Sequence, residues 1–385
     1  NIIVDCLLGT GFKGTPKDNY INVINRINNS KSYVVSVDIN SGLNGNNGLG
    51  DYVIKSDLTV SIGSYKYGHF LNKAMDYIKK LVNIDIGIKI LQSDAKLLEI
   101  EDFKKAFKPR NHFSNKGTYG YVGIIGGSKN YIGAVKLSSL AVAALRSGCG
   151  VSRIIIPESI KQYILPNILE ATIYPLEDKD GFIIFNKDNI DEAIKGLKAI
   201  AIGPGLGNKE DHKKIIQYLI ETCDVPLIID ADGLNSLSKI DLSILNNSKA
   251  KIVLTPHIKE FSRLINASVN DIFLDPVKYV SSFVNQYNVT LLLKGPTTII
   301  ADKTQIYFVN SGSPGMASAG SGDVLTGIIT GLLGYQQDNI LFTVCLGAFI
   351  NGLAGEIAAK KFGEISMLSS DTISSIPDAI MRIIN

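Results

Sequence analysis

A glycine-rich turn that runs into an apolar helix is the strongest chemical signal in the sequence. Residues 316–333 read MASAGSGDVLTGIITGLL, and the backbone N–H groups of Gly320, Ser321 and Gly322 would converge at the helix N-terminus, where an anion is stabilised. Asp323 follows directly, and a carboxylate beside an anion is unfavourable unless its charge is useful. It could act as a general base that takes a proton from an acceptor hydroxyl during phosphoryl transfer. The alternative is an N-capping aspartate after a glycine turn that only packs.

A second candidate for binding phosphate is the segment LLLKGPTTII at residues 291–300. An apolar strand ends there in Lys294 and Gly295, and the hydroxyls of Thr297 and Thr298 follow. An ammonium group at the carboxyl end of a strand suits the phosphates of a nucleotide. The alternative is a plain connection between two strands.

Three further loops have compositions that suit a ligand site. GIIGGSKNYIGA at residues 123–134 and GPGLG at residues 203–207 are glycine-rich turns, which let the backbone approach a ligand closely. IIDADGLN places Asp230 and Asp232 at a strand end, where their oxygens could hold Mg²⁺ through water. A turn capped by these aspartates is the alternative.

His257 stands just past a strand and a proline in VLTPHIKEFSRL, with Glu260 one helical turn further. The imidazole could form a hydrogen bond with a hydroxyl or an amide of a substrate, or it could simply cap the following helix at the surface. The other three histidines share no metal-ligand spacing with it, so a metal cluster is not expected; they are His69, His112 and His212.

Alternating strands and helices must position these groups. Three apolar strands in residues 1–90 and six more after residue 119 are separated by helical segments, a pattern typical of parallel βαβ units in a doubly wound sheet. Ligands of such sheets bind at the carboxyl ends of the strands. A charged, irregular stretch at residues 91–115 predicts a linker. We therefore expect two domains, residues 1–100 and 101–385.

Composition restricts the class of protein. The chain has 385 residues, of which 45% are hydrophobic and 19% charged, with a net charge of +3. This excludes disorder and gives no sign of a nucleic-acid partner. Apolar stretches such as residues 324–335 fall short of the ~20 residues that span a bilayer, so no membrane association is expected. Four scattered cysteines favour a reducing cytoplasm. We expect a homo-oligomer, in which the helix at residues 346–359 is either core or interface.

Over residues 107–385 these motifs, in this order, resemble the ADP- or ATP-dependent NAD(P)H-hydrate dehydratases, a branch of the ribokinase-like fold. The resemblance implies a ribokinase-like doubly wound α/β/α domain preceded by a partial Rossmann-like α/β domain. It implies that Ala134, Gly205, His257 and Asp323 contact the hydrated nicotinamide nucleotide, with Asp323 catalytic. ADP or ATP, with Mg²⁺, would be bound by a further set: Lys294, Gly295, Pro296, Thr297, Thr298, Ala319, Gly320, Ser321 and Gly322.

Residues 1–90 are similar to the latter part of an NAD(P)H-hydrate epimerase domain. By this resemblance the GTGFKGT loop holds the phosphates of the hydrate, Asp38 also binds the hydrate, and Asp5 and Ser41 help hold K⁺. The loop consists of Gly9, Thr10, Gly11, Phe12, Lys13, Gly14 and Thr15. Asn40 stands where the family usually has proline, and the family's early asparagine- and glycine-rich segment does not occur in this sequence. We therefore expect the epimerase part to be incomplete.

The activity that the resemblance implies is nucleotide-dependent dehydration of the (6S) hydrates of NADH and NADPH, which are the expected small-molecule substrates. The preferred donor, ADP or ATP, and the preferred hydrate stay open. One alternative is a small-molecule kinase of the same fold that acts on a vitamin-precursor or sugar alcohol. Another is a nucleotide-binding sensor without turnover, although a pure binder has no need of a carboxylate beside the phosphates.

Overall fold

The computed structural model describes residues 1–88, 95–107, 109–143, 146–167 and 169–385. Residues 91–94 and 108 of the predicted linker lie outside this range. The chain forms two compact units. The first comprises Asn1–Asp94, Ser268–Tyr279 and Gly295–Thr297, and the second comprises the remainder. The proposed division into domains at residues 100 and 101 stays a prediction.

Sixteen strands occur within the described residues. They are Ile2–Asp5 (β1), Tyr33–Val37 (β2), Leu58–Ile62 (β3), Leu81–Ile84 (β4), Lys96–Leu97 (β5), Tyr121–Ile125 (β6), Val151–Pro157 (β7), Thr172–Leu176 (β8), Asp178–Lys179 (β9), Phe182–Ile183 (β10), Ala199–Ile202 (β11), Leu227–Ile229 (β12), Ile252–Leu254 (β13), Val289–Leu293 (β14), Thr298–Ala301 (β15) and Ile306–Val309 (β16). All nine strands expected from apolar runs are among them.

The helices follow the strands in alternation through most of the chain. They are Asp18–Asn28 (α1), Ala74–Tyr77 (α2), Ile100–Phe103 (α3), Ile132–Ala143 (α4), Lys161–Ile164 (α5), Lys187–Ile194 (α6), Glu210–Thr222 (α7), Asp232–Leu237 (α8), Ile258–Ile265 (α9), Val269–Leu274 (α10), Pro276–Gln286 (α11), Ser321–Leu333 (α12), Ile340–Phe362 (α13) and Ser369–Ile384 (α14).

A four-stranded parallel sheet, in the order β1-β2-β3-β4, forms the centre of the first unit. Side chains alternate between its two faces, and the two faces differ sharply. One face is buried and carries polar groups, among them Asp5, Ser36 and Thr59, which lie side by side in the register. On the other face apolar side chains such as Ile2 and Ile84 are exposed. The buried polar face is where the first unit's candidate site is built.

The second unit has a ten-stranded sheet in the order β5-β16-β15-β14-β13-β12-β11-β6-β7-β8 among the described residues. Strands β6 to β8 extend the sheet in one direction, and β11 to β14 extend it in the other, all in parallel. The order of winding therefore reverses between the neighbours β6 and β11, which is the point where open α/β sheets bind ligands. The sheet becomes antiparallel at β15 and β16, two strands that the sequence did not predict.

Helices α12, α13 and α14 pack together in the core of the second unit. Helix α13 has 23 residues and is apolar enough to cross a bilayer by length and composition, so the expectation that all apolar stretches are too short is wrong. However, 78% of its apolar window is buried inside the unit, as in the core helix of many globular proteins. Residues 346–359 lie within α13, and Leu346, Ile350 and Ala354 are fully buried. That segment is therefore core.

Candidate active site

The loops after β6 and β11 meet at the winding reversal of the large sheet. Gly205 has φ +64°, and a Cβ on it would lie 3.1 Å from the Cβ of Ala134 and 2.5 Å from the carbonyl oxygen of Tyr131. The Ser128 hydroxyl donates a hydrogen bond of 2.8 Å to the Gly205 carbonyl. Two residues expected to contact the hydrate, Ala134 and Gly205, are thus adjacent, and the contact requires glycine.

A buried carboxylate lies beyond the next strand, β12. Asp230 is 1% exposed. Its Oδ1 accepts a hydrogen bond from Nζ of Lys294 at 2.7 Å, and its Oδ2 accepts one from the Thr326 hydroxyl at 2.7 Å. A charge removed from water requires such partners. Asp230 therefore holds the end of β14 and helix α12 together at the carboxyl edge of the sheet.

The residues around Asp230 form a tightly built turn. Ala231 has φ 49° and ψ −121°, a conformation that costs a residue with a side chain of order 1–3 kcal/mol. On one side of it, a Cβ on Gly203 would lie 1.8 Å from the carbonyl oxygen of Asp230. On the other side, Oδ2 of Asp232 accepts a hydrogen bond of 2.8 Å from the Gly207 amide. The GPGLG loop is thereby fixed against the turn at both of its ends.

The chemistry of this turn does not match a magnesium site formed by the protein alone. Both oxygens of Asp230 accept hydrogen bonds from protein donors, and Asp232 accepts from Gly207 and, at 3.2 Å, from the side chain of Asn235. Within the described residues no group of three or more metal-ligating side chains occurs. The alternative of a capped turn accounts better for these two carboxylates.

Helix α12 begins at the predicted anion-binding turn. Gly320 occupies the N-cap position with φ 93°, and Asp323 is the third residue of the helix. The alternative in which Asp323 caps the helix is therefore wrong. The Ser321 amide donates a long hydrogen bond of 3.4 Å to the Ser318 carbonyl, so it is not the free donor that we expected. In the described part of the chain, the amides of Gly320 and Gly322 have no acceptor.

The carboxylate of Asp323 accepts no hydrogen bond from any described residue. Burial, and secondly the negative charge of Asp230, raise its pKa to about 7, although the ammonium of Lys294 acts in the opposite direction. A Cβ on Gly322 would lie only 3.2 Å from that ammonium, so the helix start and the end of β14 are in contact. Asp323 is thus a proton acceptor with a pKa near neutrality beside a fixed positive charge, which is a favourable setting for a general base.

His257 is the N-cap of α9. Its Nδ1 accepts hydrogen bonds from the amides of Lys259 and Glu260, and Oε2 of Glu260 accepts one of 2.9 Å from the His257 amide. His257 therefore caps α9, which was one of the two roles considered for it. Burial, with the nearby charge of Lys294, lowers the pKa of His257, and burial raises the pKa of Glu260 to about 7. The imidazole is about half exposed, so its contact with a hydrate stays a prediction.

The predicted nucleotide-binding residues fall into both compact units. Lys294 and Thr298 belong to the second unit, together with residues 319–322, whereas Gly295, Pro296 and Thr297 are grouped with the first.

His257 and Lys294 form an isolated parallel β-bridge just beyond β13 and β14. The Lys294 amide donates a hydrogen bond of 2.9 Å to the Pro256 carbonyl. The second unit therefore brings together Ala134, Gly205, His257, Lys294 and Asp323.

In the first unit, Asp5 and Ser41, the two residues predicted to help hold K⁺, are hydrogen-bonded to each other. The Ser41 hydroxyl donates to Oδ1 of Asp5 at 2.6 Å, while the Ser41 amide and the Ser36 hydroxyl donate to Oδ2. Because these donors already satisfy the buried carboxylate, the two side chains supply only part of an oxygen cage for K⁺. The potassium site stays a prediction. Asn40, in the usual place of proline, is buried and accepts a hydrogen bond from Thr59 at 2.5 Å.

The GTGFKGT loop is accessible in the first unit. All its residues are exposed except Phe12, which is half-buried and whose amide closes a turn by donating to the Gly9 carbonyl at 3.0 Å. No atom lies within 4 Å of a Cβ placed on Gly9, Gly11 or Gly14. The loop therefore leaves its backbone open to a ligand, and its contact with phosphates stays a prediction.

Asp38 lies at the end of β2 with φ 67°. Its Oδ1 accepts hydrogen bonds from Nζ of Lys66 and, at 3.0 Å, from the Ile62 amide. Its carbonyl oxygen is 2.8 Å from Nε2 of His69. Sequence reasoning assigned no role to Lys66 and considered His69 only as a metal ligand. It also missed Thr326, although its position three residues after Asp323 places both on one face of a helix.

The reversal of winding, the glycine loops and the Asp230–Lys294 pair at the start of α12 define an α/β protein of the ribokinase-like class. A ribokinase-like protein from Enterococcus faecalis has this fold, with a TM-score of 0.66 at 23% identity over 77% of this chain and 99% of that one. The ADP/ATP-dependent NAD(P)H-hydrate dehydratase of Bacillus subtilis, co-crystallised with ATP and Mg²⁺, superposes with a TM-score of 0.66 at 26% identity, over 76% of this chain and all of that one.

Sequence comparison agrees. Residues 122–378 match the NAD(P)H-hydrate dehydratase family, and residues 1–68 match the YjeF-related protein N-terminus. The bifunctional NAD(P)H-hydrate repair enzyme of Dictyoglomus turgidum is 35% identical over all of this chain and 76% of its own length. That of Escherichia coli is 32% identical over all of this chain and 72% of its own. The chain belongs to the NAD(P)H-hydrate dehydratase family and carries a fused, partial epimerase domain.

Proposed function

We propose that the second unit uses ADP or ATP to dehydrate the (6S) hydrates of NADH and NADPH, and that Asp323 is its general base. The observation that carries this proposal is the Asp323 carboxylate, which has a pKa near 7 and lies in the first turn of α12 beside Lys294. Such a group can take a proton at neutral pH.

The chemical problem is the leaving group. The hydrate carries a hydroxyl on the ring carbon next to the nitrogen, and hydroxide leaves poorly at neutral pH. Once Asp323 has removed the hydroxyl proton, the oxygen can attack the terminal phosphoryl group of the nucleotide. The C–O bond then breaks, phosphate leaves with the bonding electrons, and the lone pair of the ring nitrogen forms an iminium. Loss of a proton from the neighbouring carbon restores the dihydropyridine. The transferred phosphoryl group ends as inorganic phosphate.

The remaining residues of the site bind and orient. We assign the amides of Gly320 and Gly322 to the transferring phosphoryl group, because they are unpaired donors at a helix N-terminus. Lys294, fixed by Asp230, offsets the charge of the phosphates. Ala134 and Gly205 form a close-packed wall for the nicotinamide ring. Because Asp230 and Asp232 are engaged by protein donors, we propose that magnesium enters bound to the nucleotide, as part of that substrate.

A single experiment tests the assignment. The protein is incubated with chemically hydrated NADH and either ADP or ATP, and nicotinamide absorbance and phosphate release are followed together. We expect both signals to rise in equal amounts and only with nucleotide. A stable phosphate ester without the return of absorbance would identify a small-molecule kinase instead.

For the first unit we propose epimerisation of the same hydrates, with Asp38 and the GTGFKGT loop as the hydrate-binding groups and Asp5 with Ser41 as part of a K⁺ site. The buried network of Asp5, Ser36 and Ser41 supports an ordered site at the strand ends. A cytoplasmic location and a homo-oligomeric state are also proposals. Light scattering of the purified protein tests the latter.

A further inference from the structure

The segment after β3 in the first unit is built around Asp38. The carboxylate of Asp38 is 26% exposed and the Lys66 side chain 20%, so both are only partly covered. The Lys66 ammonium contacts Oδ1 of Asp38 and also donates to the carbonyl of Ile62 at 3.1 Å. The lysine thus joins one oxygen of the Asp38 carboxylate to the end of β3.

The second oxygen of that carboxylate is different. The donors to Asp38 are the Lys66 ammonium and the Ile62 amide, and both act on Oδ1. Among the described residues, none donates to Oδ2. Because the Asp38 side chain is partly exposed, this second oxygen can accept a hydrogen bond from a ligand.

His69 holds the backbone of the same residue. Its Nδ1 accepts a hydrogen bond of 3.1 Å from the Lys66 amide, so in the neutral ring Nε2 carries the proton and donates it to the Asp38 carbonyl at 2.8 Å. His69 is 2% exposed, and burial lowers its pKa to about 4, so the ring is neutral at physiological pH. This hydrogen bond helps to offset the energetic cost of the left-handed conformation of Asp38, which has φ 67°.

The loop that carries Lys66 and His69 is itself fixed in place. The Gly68 amide donates to the Gly45 carbonyl at 2.7 Å, and a Cβ on Gly68 would lie 2.1 Å from the carbonyl of Asn44. A Cβ on Gly45 would in turn be 3.7 Å from the carbonyl of Thr10, in the GTGFKGT loop. The lysine, the histidine and the predicted phosphate loop therefore belong to one packed assembly.

We infer that Lys66 and His69 are positioning residues of the epimerase site, which aim the free oxygen of Asp38 at the hydroxyl of the hydrate so that Asp38 acts as its base. This inference rests on the epimerase activity proposed above. An epimerase must invert the ring carbon that carries this hydroxyl and is bonded to the ring nitrogen, and a base on the hydroxyl is sufficient to begin that inversion.

The reaction balances without an oxidant or another reactant. Asp38 takes the hydroxyl proton, the C–O bond becomes a carbonyl, and the bond from that carbon to the ring nitrogen breaks with its electron pair going to nitrogen. The proton then passes from Asp38 to nitrogen, and the opened chain rotates. Nitrogen attacks the other face of the aldehyde, its proton returns through Asp38, and the oxygen becomes the hydroxyl of the opposite epimer.

The test uses a mixture of both epimers of hydrated NADH with excess nucleotide. The dehydratase consumes the S epimer in a fast phase, and the R epimer follows in a slow phase at the rate of epimerisation. The fast phase reports on the proposed dehydratase, the wild-type slow phase on the proposed epimerase, and the slow phase of the variants on this inference, so the three failures are distinguishable. Lys79→Met is the matched control, because Lys79 pairs with Asp57 at 3.3 Å just before β4 and β3 of the same unit but is 77% exposed.

We expect Lys66→Met to slow the second phase by about tenfold to a hundredfold, through kcat rather than KM, and to leave the first phase unchanged. Lys66→Arg should restore most of the rate. His69→Phe should slow the second phase, whereas His69→Gln, which keeps a donor toward the Asp38 carbonyl, should retain more activity. The inference is overturned if the wild-type slow phase matches the uncatalysed rate, or if Lys66→Met and His69→Phe behave like Lys79→Met.

Discussion

The ammonium of Lys294 and the buried carboxylate of Asp230 lie 2.7 Å apart, although 64 residues separate them in the chain. Asp230 also accepts a hydrogen bond from Thr326 on α12, so one carboxylate joins two motifs that sequence reasoning treated as independent. Because the negative charge of Asp230 also adds to the effect of burial in raising the pKa of Asp323, this carboxylate influences both the position of the lysine and the proton affinity of the proposed base.

Asp230→Asn should separate these two effects. Loss of the negative charge lowers the pKa of Asp323, so the acidic limb of the kcat/KM profile should move to lower pH. Loss of a charged partner for Lys294 should cost about 1–3 kcal/mol of stability. The pH profile of NADH return and urea unfolding measure the two effects. Thr326→Val is the control: it removes one hydrogen bond but no charge, so stability should fall while the limb stays in place.

Asp323→Asn should abolish dehydration and stabilise the protein at neutral pH. With a folded-state pKa of about 7 against an ordinary value of 3.8, the folded protein retains a proton between about pH 4 and 7 that the unfolded chain has lost. The wild type therefore loses stability as pH rises through that window. The variant should gain on the order of 1–2 kcal/mol above pH 7, or about 2–4 °C in Tm, and little at pH 4. An equal gain at both values would contradict the assigned pKa.

Gly205→Ala should disrupt the proposed hydrate wall. The new Cβ would lie 2.5 Å from the carbonyl oxygen of Tyr131, in a backbone conformation with φ +64°. We expect KM for the hydrate to rise and stability to fall by about 2 kcal/mol. Gly133→Ala lies on the adjoining helix with no atom within 4 Å of the new Cβ, and it should leave both quantities nearly unchanged. Kinetics with hydrated NADH and thermal unfolding provide the comparison.

Ala231→Gly should relieve backbone strain. Glycine adopts φ 49° and ψ −121° without steric cost, so after its own entropic penalty we expect a net gain of about 1 kcal/mol. The turn that orients Asp230 and Asp232 would become looser, and kcat should fall. Ala317→Gly, where φ is −73°, should instead cost about 0.5–1 kcal/mol. Equal stability changes in the two variants would show that Ala231 is not strained.

Many of the strands, loops and helices could be predicted from local sequence patterns. The apolar strands, the glycine loops and the helix after AGSGD were predicted because burial and backbone freedom depend on residues close together in the chain. The meeting of Ala134 with Gly205 followed from the resemblance, and its physical basis is that β6 and β11 are neighbours at the reversal of winding.

The pairings between distant residues could not be predicted. Two aspartates at a strand end have the composition of a metal site. Only the structure shows that Asp230 accepts hydrogen bonds from Lys294 and Thr326, which are distant in the sequence. His257 was ambiguous for the same reason, since its capping role depends on the amides that it meets. The antiparallel strands β15 and β16 follow a short turn after Lys294, and the sequence analysis predicted no strand there.

The 3.2 Å between a Cβ on Gly322 and the ammonium of Lys294 gives the glycine of this motif a second purpose. Alanine at this position would require the lysine ammonium, which is hydrogen-bonded to Asp230, to shift by a few tenths of an ångström, even in the absence of a nucleotide. Selection for glycine at this position would then act on the resting enzyme as well as on its complex, and a variant here would disturb the charge balance of the pocket before any ligand arrived.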